Sequence, residues 1–275
     1  MHRTRPLFTS PLVRIERFDH PPGIHVRPAE ERSDSFSVNF VEAGSFTVSN
    51  ERSEWRVNDA SIFVTSPGCW YRYDHADEVP CDVCLRIVFD ERWRNDLVET
   101  APAALAGRGP LVPITNRRAY LRERLLHHLD AGSPSLSIES ICGEALFGAT
   151  EEAGVARRLY RSSQLAWYAS RIDRARERLD DEYASDHSLG SLSRSVGMSV
   201  FHFARLFREL TGIAPHQYLL RRRLAAARAR LRAGSSVTDA CFDSGFASLS
   251  HFIRMFKRAY GAPPSAERSA RPRTS

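Results

Sequence analysis

Cysteine is scarce in this sequence, and its distribution excludes several classes of small protein. The 275 residues contain five cysteines, an odd number spread along the chain, which is not the pattern of a disulfide framework. No apolar run approaches the length of a membrane span, and the N-terminus lacks the apolar segment of a signal peptide. We therefore expect a soluble, cytoplasmic protein with no membrane association.

Metal-binding patterns are also missing. Cys81 and Cys84 have Cys-x-x-Cys spacing with Cys69 nearby, which raises a zinc or thiol-switch hypothesis. A structural zinc site usually needs four ligands, however, and no second pair is present. On a regular strand Cys81 and Cys84 would point to opposite faces, so we interpret them as small buried residues. Since no catalytic set is apparent among carboxylates and serines either, we predict no cofactor, no metal and no enzyme activity.

Lysine is nearly absent: Lys257 is the only one, and every other basic side chain is arginine, apart from the histidines. The net charge of +6 is unevenly distributed. Residues 187–275 carry 15 basic and 4 acidic side chains (+11), whereas residues 1–186 carry 24 basic and 29 acidic (−5). A basic C-terminal part beside a mildly acidic remainder indicates a polyanionic partner for that part. The length favours two domains.

Short strands dominate residues 1–110. The segment 35–41 alternates polar and apolar side chains, and the pattern resumes after Gly44. Further strands are predicted at residues 55–57, 61–64 and 83–89. Many short strands separated by turns are typical of a β-sandwich or barrel.

Residues 102–113 are rich in alanine, glycine and proline and are predicted to form a connector. Two amphipathic helices follow, one ending near Gly132 and one within residues 134–158. Their apolar stripes need a partner surface, which is either the β domain or a second copy of the chain. We leave both alternatives open, with a domain boundary near Arg161.

The C-terminal part contains the same helix-turn-helix pattern twice, in segments 189–212 and 237–265. Each segment has a short helix, a glycine turn, a serine cap and a second amphipathic helix that ends at glycine. Arg205 and Arg254 are equivalent, 49 positions apart (254 − 205), which makes the two segments an internal repeat. A helix over residues 216–233, rich in arginine, connects them. A solvated face is the simplest interpretation of that arginine cluster.

These motifs resemble the DNA-binding domain of the AraC/XylS family of bacterial transcription regulators. The resemblance covers about residues 170–270 and rests on GMSVFHFARLFRELTGIAPHQYLLRRRLAAARARL and DSGFASLSHFIRMFKRAYGAPPS. It implies two helix-turn-helix units that contact successive major-groove faces of one DNA site.

The resemblance also assigns candidate DNA-contacting residues. Arg205 and Arg254 are the leading base readers, because arginine reads guanine through paired hydrogen bonds; a phosphate contact is the alternative for each. By family position, the other groove-facing residues are Phe201, His202, Ala204, Leu249, Ser250 and His251. Ala204 stands where relatives often carry a polar reader, so the first unit is expected to read sequence less selectively. Arg208, Lys257 and Arg258 suit phosphates.

Residues 1–110 resemble the cupin-like sensor domain that precedes this DNA-binding domain in many family members. Tyr71 falls where metal-binding cupins often have histidine, and the β region has no His-x-His sequence. A small-ligand pocket remains compatible with such a barrel. Its candidate lining residues are Trp70, Tyr71, Tyr73 and Arg86; ordinary structural aromatics are the alternative.

The fold class expected from the sequence is an N-terminal all-β cupin-like barrel with a helical extension, and a C-terminal all-α domain. We predict a ligand-sensing domain at 1–110, a helical connector with a candidate role in dimerisation at 111–163, and a DNA-binding domain at 164–275. The expected function is sequence-specific transcription regulation controlled by a small effector. The expected partners are double-stranded DNA, the effector, RNA polymerase and a second copy of the chain. The alternatives are a constitutive DNA binder whose β domain only dimerises, and a cupin enzyme fused to a DNA-binding module.

Overall fold

The computed structural model describes residues 3–19, 29–51, 53–74, 82–91, 110–150 and 160–269. The chain divides into two compact units, residues 1–165 and 166–275. Among the described residues of the first unit, ten strands precede two helices. The strands are β1 (Arg3–Thr9), β2 (Val13–Asp19), β3 (Ala29–Arg32), β4 (Phe36–Ala43), β5 (Ser45–Ser49), β6 (Glu54–Asn58), β7 (Ser61–Thr65), β8 (Trp70–Asp74), β9 (Val83–Phe89) and β10 (Leu111–Pro113). The helices are α1 (Asn116–Asp130) and α2 (Ser135–Thr150).

The strands form two antiparallel sheets. The larger sheet has the order β1-β2-β9-β4-β7-β10, and the smaller has the order β3-β8-β5-β6. Phe63 of the larger sheet packs with Phe46 and Tyr71 of the smaller sheet, so one apolar cluster lies between the sheets. The strands predicted at 35–41, 55–57, 61–64 and 83–89 are confirmed as β4, β6, β7 and β9.

The described residues form two sheets and do not close the expected barrel, so the prediction of a closed barrel is wrong. Gly44, with φ of +74°, connects β4 in the larger sheet to β5 in the smaller one. Asp59 and Ala60 return the chain from β6 to β7 in the larger sheet. These short corners move the chain between layers instead of continuing one sheet around a barrel. A sequence of short strands and turns does not distinguish the two arrangements.

Helices α1 and α2 cover the other face of the larger sheet. Leu125 of α1 and Ile141 of α2 are buried in one cluster with Val38 and Ile87 of the sheet. Of the two partner surfaces considered for these helices, the β domain is therefore the one that they occupy. The cluster is extended by β1 and β2, which the sequence patterns missed. Most of the predicted connector lies outside the described residues, and its end, Leu111–Pro113, is strand β10.

The second unit is helical. Its elements are α3 (Ser162–Asp181, which begins just before the unit), α4 (Leu189–Ser195), α5 (Val200–Thr211), α6 (Pro215–Arg232), α7 (Val237–Phe242), α8 (Leu249–Tyr260) and α9 (Pro264–Ser269). Helices α4 and α5 form the first helix pair, α7 and α8 form the second, and α6 connects them. Helix α9 occupies a segment for which the sequence patterns gave no helix. Among the described residues, no helix has the length and apolar character needed to cross a membrane.

Candidate nucleic-acid interface

Helices α5 and α8 begin and end in the same way. The Ser199 hydroxyl accepts a hydrogen bond from the His202 backbone N–H at 3.4 Å, and Ser248 does the same for His251 at 3.3 Å. Gly212 and Gly261 end the two helices with φ of +83° and +77°, a conformation that glycine adopts without the cost that a Cβ would bring. Both helices are therefore 12 residues long and are fixed at both ends by local sequence.

The buried faces of the two helices also repeat. Phe203 and Phe207 of α5 are fully buried, and so are Phe252 and Phe256, their equivalents 49 positions later in α8. The rings of each pair lie 5.6 Å and 5.5 Å apart in T-shaped contact. Because these rings fix which side of each helix faces the core, they also fix which side faces solvent.

The solvent-facing sides carry cations. Arg205 and Arg208 of α5 are exposed, together with Phe201, whose exposed fraction is 90%. Their spacing of i, i+4 and i+7 places all three along one helix face. On α8, the exposed residues include Ser250, His251, Arg254, Lys257 and Arg258. Five of these side chains are cations that have no hydrogen-bond or ion-pair partner within the described part of the chain: Arg205, Arg208, Arg254, Lys257 and Arg258.

Three of the predicted groove-facing residues are positioned differently. The ring of His202 is half-buried in T-shaped contact with Tyr168 of α3, at a centroid distance of 5.4 Å. Leu249 is half-buried against the apolar cluster of the second helix pair. Ala204 is half-buried as well. The structure thus leaves Phe201 and Arg205 as the most accessible candidates on α5.

Five of the six arginines of the connecting helix α6 have partners inside the unit, which the interpretation as a solvated face did not anticipate. The Arg222 Nε lies 2.5 Å from the Asp180 carboxylate. Arg228 and Arg232 both donate to Glu267, at 2.5 Å and 2.9 Å. Their hydrogen bonds hold the pKa of the Glu267 carboxyl below its ordinary value.

Two further α6 arginines reach the segment that follows α3. The Arg223 guanidinium donates to the backbone carbonyls of Tyr183 and Ser185, each at 2.8 Å. Arg230 donates to the Tyr183 hydroxyl at 3.0 Å. Sequence analysis missed all of these roles because the acceptors lie 35 to 47 positions away, far beyond any helical spacing.

The four predicted pocket residues of the β domain do not share one site. A cavity of about 800 Å³ contains Trp70 and Tyr71. Among the described residues, its lining is Glu30, Ser49, Asn50, Glu51, Trp70, Tyr71 and Arg72. Arg72 donates to Glu30 at 2.6 Å, whereas Glu51 has no partner within the described part of the chain. The Trp70 indole is 59% exposed.

The other two candidates, Tyr73 and Arg86, are not part of that cavity lining. The Tyr73 ring packs with Phe46 and Phe63 between the two sheets, and burial raises the pKa of its phenol to about 12. The Arg86 Nε is buried without a hydrogen-bond partner in the described structure. Tyr71 borders both places, because it lines the cavity and its ring also packs against Phe63 between the sheets.

The cysteines do not assemble a metal site in the described residues, among which no group of three or more metal-ligating side chains was found. Cys84 is buried, and burial raises the pKa of its thiol. Cys69 is exposed, and Cys81 lies outside the described residues. Of the two cysteines in the Cys-x-x-Cys sequence, the structure therefore describes only Cys84.

The chain is similar in sequence to a helix-turn-helix family and to several proteins named as transcription regulators. Residues 192–270 match the family described as "Helix-turn-helix domain". The HTH-type transcriptional regulator YbfI of Bacillus subtilis is 26% identical over 261 residues, which cover 91% of this chain and 90% of YbfI. The HTH-type transcriptional activator RhaS of Escherichia coli O139:H28 is 32% identical over 104 residues, 38% of this chain and 37% of RhaS. The match to VirF of Yersinia enterocolitica likewise covers only 43% of that regulator, at 32% identity.

Among solved structures, a probable AraC family transcriptional regulator from Rhodopseudomonas palustris is similar over 38% of this chain and 99% of its own length. Its identity is 26% and its TM-score 0.36. ToxT of Vibrio cholerae, solved with a bound unsaturated fatty acid, is similar over 94% of this chain and 95% of its own, with 11% identity and a TM-score of 0.35.

Proposed function

We propose that this chain is a DNA-binding transcription regulator of the AraC/XylS family and that it reads one bipartite DNA site through α5 and α8. The match of its C-terminal part to a helix-turn-helix domain and its similarity to YbfI and RhaS support the proposal. Under this proposal residues 164–275 bind DNA and residues 1–110 sense an effector. The helices of residues 111–163 support the sensor and contribute to a homodimer. RNA polymerase is the partner through which a bound regulator would act on transcription.

The observation that carries the proposal is the repeated exposed face of α5 and α8. Unpaired cations on a helix face attract the phosphate backbone without first losing an internal partner. Arg205 and Arg254 occupy equivalent positions on the two faces, which suits bidentate contacts to guanine. Arg208, Lys257 and Arg258 lie one turn further along their helices and suit phosphates.

Substitution of Arg254 tests base reading. We expect Arg254→Ala to weaken binding to the selected site roughly five- to 150-fold, the range for one lost bidentate base contact, with a smaller effect on random DNA. Lys257→Ala is the matched control, because a lost phosphate contact weakens binding to both DNAs by a similar factor. Equal losses on specific and random DNA for Arg254→Ala would reduce that residue to a phosphate contact.

For the effector we propose the 800 Å³ cavity that contains Trp70. Its volume lies in the range of small-molecule sites. The charge of Arg72 is compensated by Glu30, so among the described lining residues the Glu51 carboxylate leaves a net negative charge. An exposed indole and a carboxylate in one cavity favour an organic cation, which both groups attract.

Ligand screening by thermal shift tests this assignment. Small amines and guanidines are expected to raise the melting temperature, because a ligand that binds only the folded state stabilises it. Glu51→Gln should weaken that effect, whereas Glu54→Gln, an exposed residue outside the cavity lining, should not. Stabilisation by carboxylates alone would instead favour the region of Arg86.

Two alternative functions make different predictions. A constitutive binder with a dimerising β domain would show no stabilisation by any metabolite and unchanged DNA affinity in their presence. A cupin enzyme would contain stoichiometric iron, manganese or zinc after purification, which metal analysis would detect.

A further inference from the structure

The segment between α3 and α4, residues 182–187, contacts parts of the second unit that are distant in sequence. We call it the brace segment. It leads directly into the first helix pair, because Ser188 is the N-cap of α4 and forms a reciprocal capping box with Ser191. Any displacement of the brace segment therefore moves the start of that pair.

The brace segment is internally fixed. The Ser185 backbone N–H donates to the Glu182 carbonyl at 2.9 Å, and the His187 Nε2 lies 2.8 Å from the same oxygen. These contacts close a compact turn just after α3. Such a turn has few degrees of freedom left to absorb a displacement.

Helix α6 holds the brace segment from a second direction. Arg223 donates to the Tyr183 and Ser185 carbonyls, and Arg230 donates to the Tyr183 hydroxyl. Hydrogen bonds from a charged donor are stronger than those between neutral groups, and the planar guanidinium fixes the direction of both carbonyls. The helix that separates the two pairs is thus tied to the segment that opens the first pair.

The second helix pair touches the brace segment through Gly245, in the turn between α7 and α8. A Cβ at Gly245 would lie 2.6 Å from the Ala184 carbonyl oxygen and 2.8 Å from its Cα. Both atoms are backbone, so no flexible side chain can move aside. The close approach requires glycine at this turn and places the α7–α8 turn directly against the brace segment.

We infer that the brace segment sets the spacing between α5 and α8, with Gly245 and Arg223 as positioning residues for bipartite DNA recognition. This inference rests on the proposed function. Helix α6 packs against the second pair through Leu224, Ala227 and Leu231. The contact between Gly245 and Ala184 attaches the turn of that pair to the segment that opens the first pair, so the orientation of the two pairs depends on both contacts.

The test compares DNA sites whose two half-sites are separated by the selected spacing, by one base pair less and by one more. Each added base pair shifts one half-site along the axis and rotates it about the DNA. We expect the wild-type full-length chain to bind the selected spacing roughly tenfold more tightly than either neighbour, comparable to the cost of one mismatched base pair. Gly245→Ala should bind the selected spacing more weakly and discriminate among the three by less than about threefold. Its affinity for an isolated half-site should be unchanged.

Gly197→Ala is the matched control. Gly197 lies in the turn of the first pair with φ of +66°, but a Cβ there meets nothing within 4 Å. The Gly197→Ala variant therefore has the free-energy cost of an alanine in left-handed backbone but displaces no neighbouring atom. Its preference among the three half-site spacings should remain that of the wild type. Arg223→Met, which removes both carbonyl contacts without adding bulk to the turn, should reduce spacing discrimination as Gly245→Ala does.

The inference is overturned if Gly245→Ala and Arg223→Met both keep the wild-type spacing preference, or if Gly197→Ala loses it equally. In those cases bipartite recognition still stands. A wild-type chain that binds no bipartite site would refute the proposed function and the brace together.

Discussion

The salt dependence of DNA binding should distinguish the cations on the exposed faces of α5 and α8 from the paired arginines of α6. Arg208, Lys257 and Arg258 are exposed and have no internal partner in the described structure. On binding DNA, each one that neutralises a phosphate releases condensed counterions. Arg232 is equally basic, but it already donates to Glu267 at 2.9 Å.

The magnitude follows from the number of phosphates contacted. Each contact contributes about 0.9 to the magnitude of the slope of log K against log salt. Alanine at all three positions should therefore reduce the slope by about 2.7, and a single substitution by about 0.9. Between 50 and 200 mM salt, one such contact accounts for an affinity loss of about 3.5-fold.

Fluorescence anisotropy with a labelled operator, repeated across a salt series, measures this slope for each variant. Lys257→Ala should flatten it, whereas Arg232→Ala should leave it unchanged. Arg232→Ala keeps the Glu267 carboxylate paired with Arg228, so the fold is held in place during the comparison. The reasoning is refuted if Arg232→Ala flattens the slope as much as Lys257→Ala, or if Lys257→Ala leaves it unchanged.

Three further predictions concern the fold. Phe256→Ala should lower the free energy of unfolding of the second unit by about 3–5 kcal/mol in denaturant titrations of the full chain, because the ring is fully buried against Phe252 and Tyr260; a loss below 1 kcal/mol would contradict that packing. The Glu267 carboxyl has a depressed pKa, so its stabilising contribution should be present above the unfolded pKa of about 4.3 and lost as pH falls through the lower folded pKa. The wild-type chain should therefore melt at a higher temperature than Glu267→Gln near neutral pH, and this difference should shrink in acid. A difference in melting temperature that does not change with pH would contradict the prediction. In a Cys81→Ala background, a thiol reagent should modify exposed Cys69 rapidly, while Cys142, whose pKa burial raises to about 12, should react only after unfolding; rapid modification of all thiols would show that the core is open.

Local sequence was sufficient to predict helices α5 and α8. The serine caps, the closing glycines and the phenylalanine repeat are contained within α5 and α8 themselves, so the pattern defines helix, face and ends together. The alternation of residues 35–41 identified β4, and the apolar segments 61–64 and 83–89 identified β7 and β9, whose two faces pack on the helices and between the sheets.

Contacts between segments that are distant in the chain could not be predicted from the sequence. The pattern of residues 54–65 indicates two strands and a turn, but it does not say that the turn carries the chain from one sheet to the other. Likewise, the arginines of α6 look like a solvated face because Asp180, Tyr183 and Glu267 are distant in sequence. His202 lies at a groove-facing family position, yet Tyr168 of α3 covers its ring. Each of these outcomes depends on which segments meet in the fold.

The central claim is that α5 and α8 bind one DNA site together. The most direct measurement is selection of genomic fragments by the full-length chain, followed by hydroxyl-radical footprinting of the bound fragment. Two protected patches on one side of the duplex, about 10 base pairs apart, are predicted, with the patch assigned to α8 lost in Arg254→Ala. A single patch that survives Arg254→Ala, or protection without any sequence preference, would contradict the account.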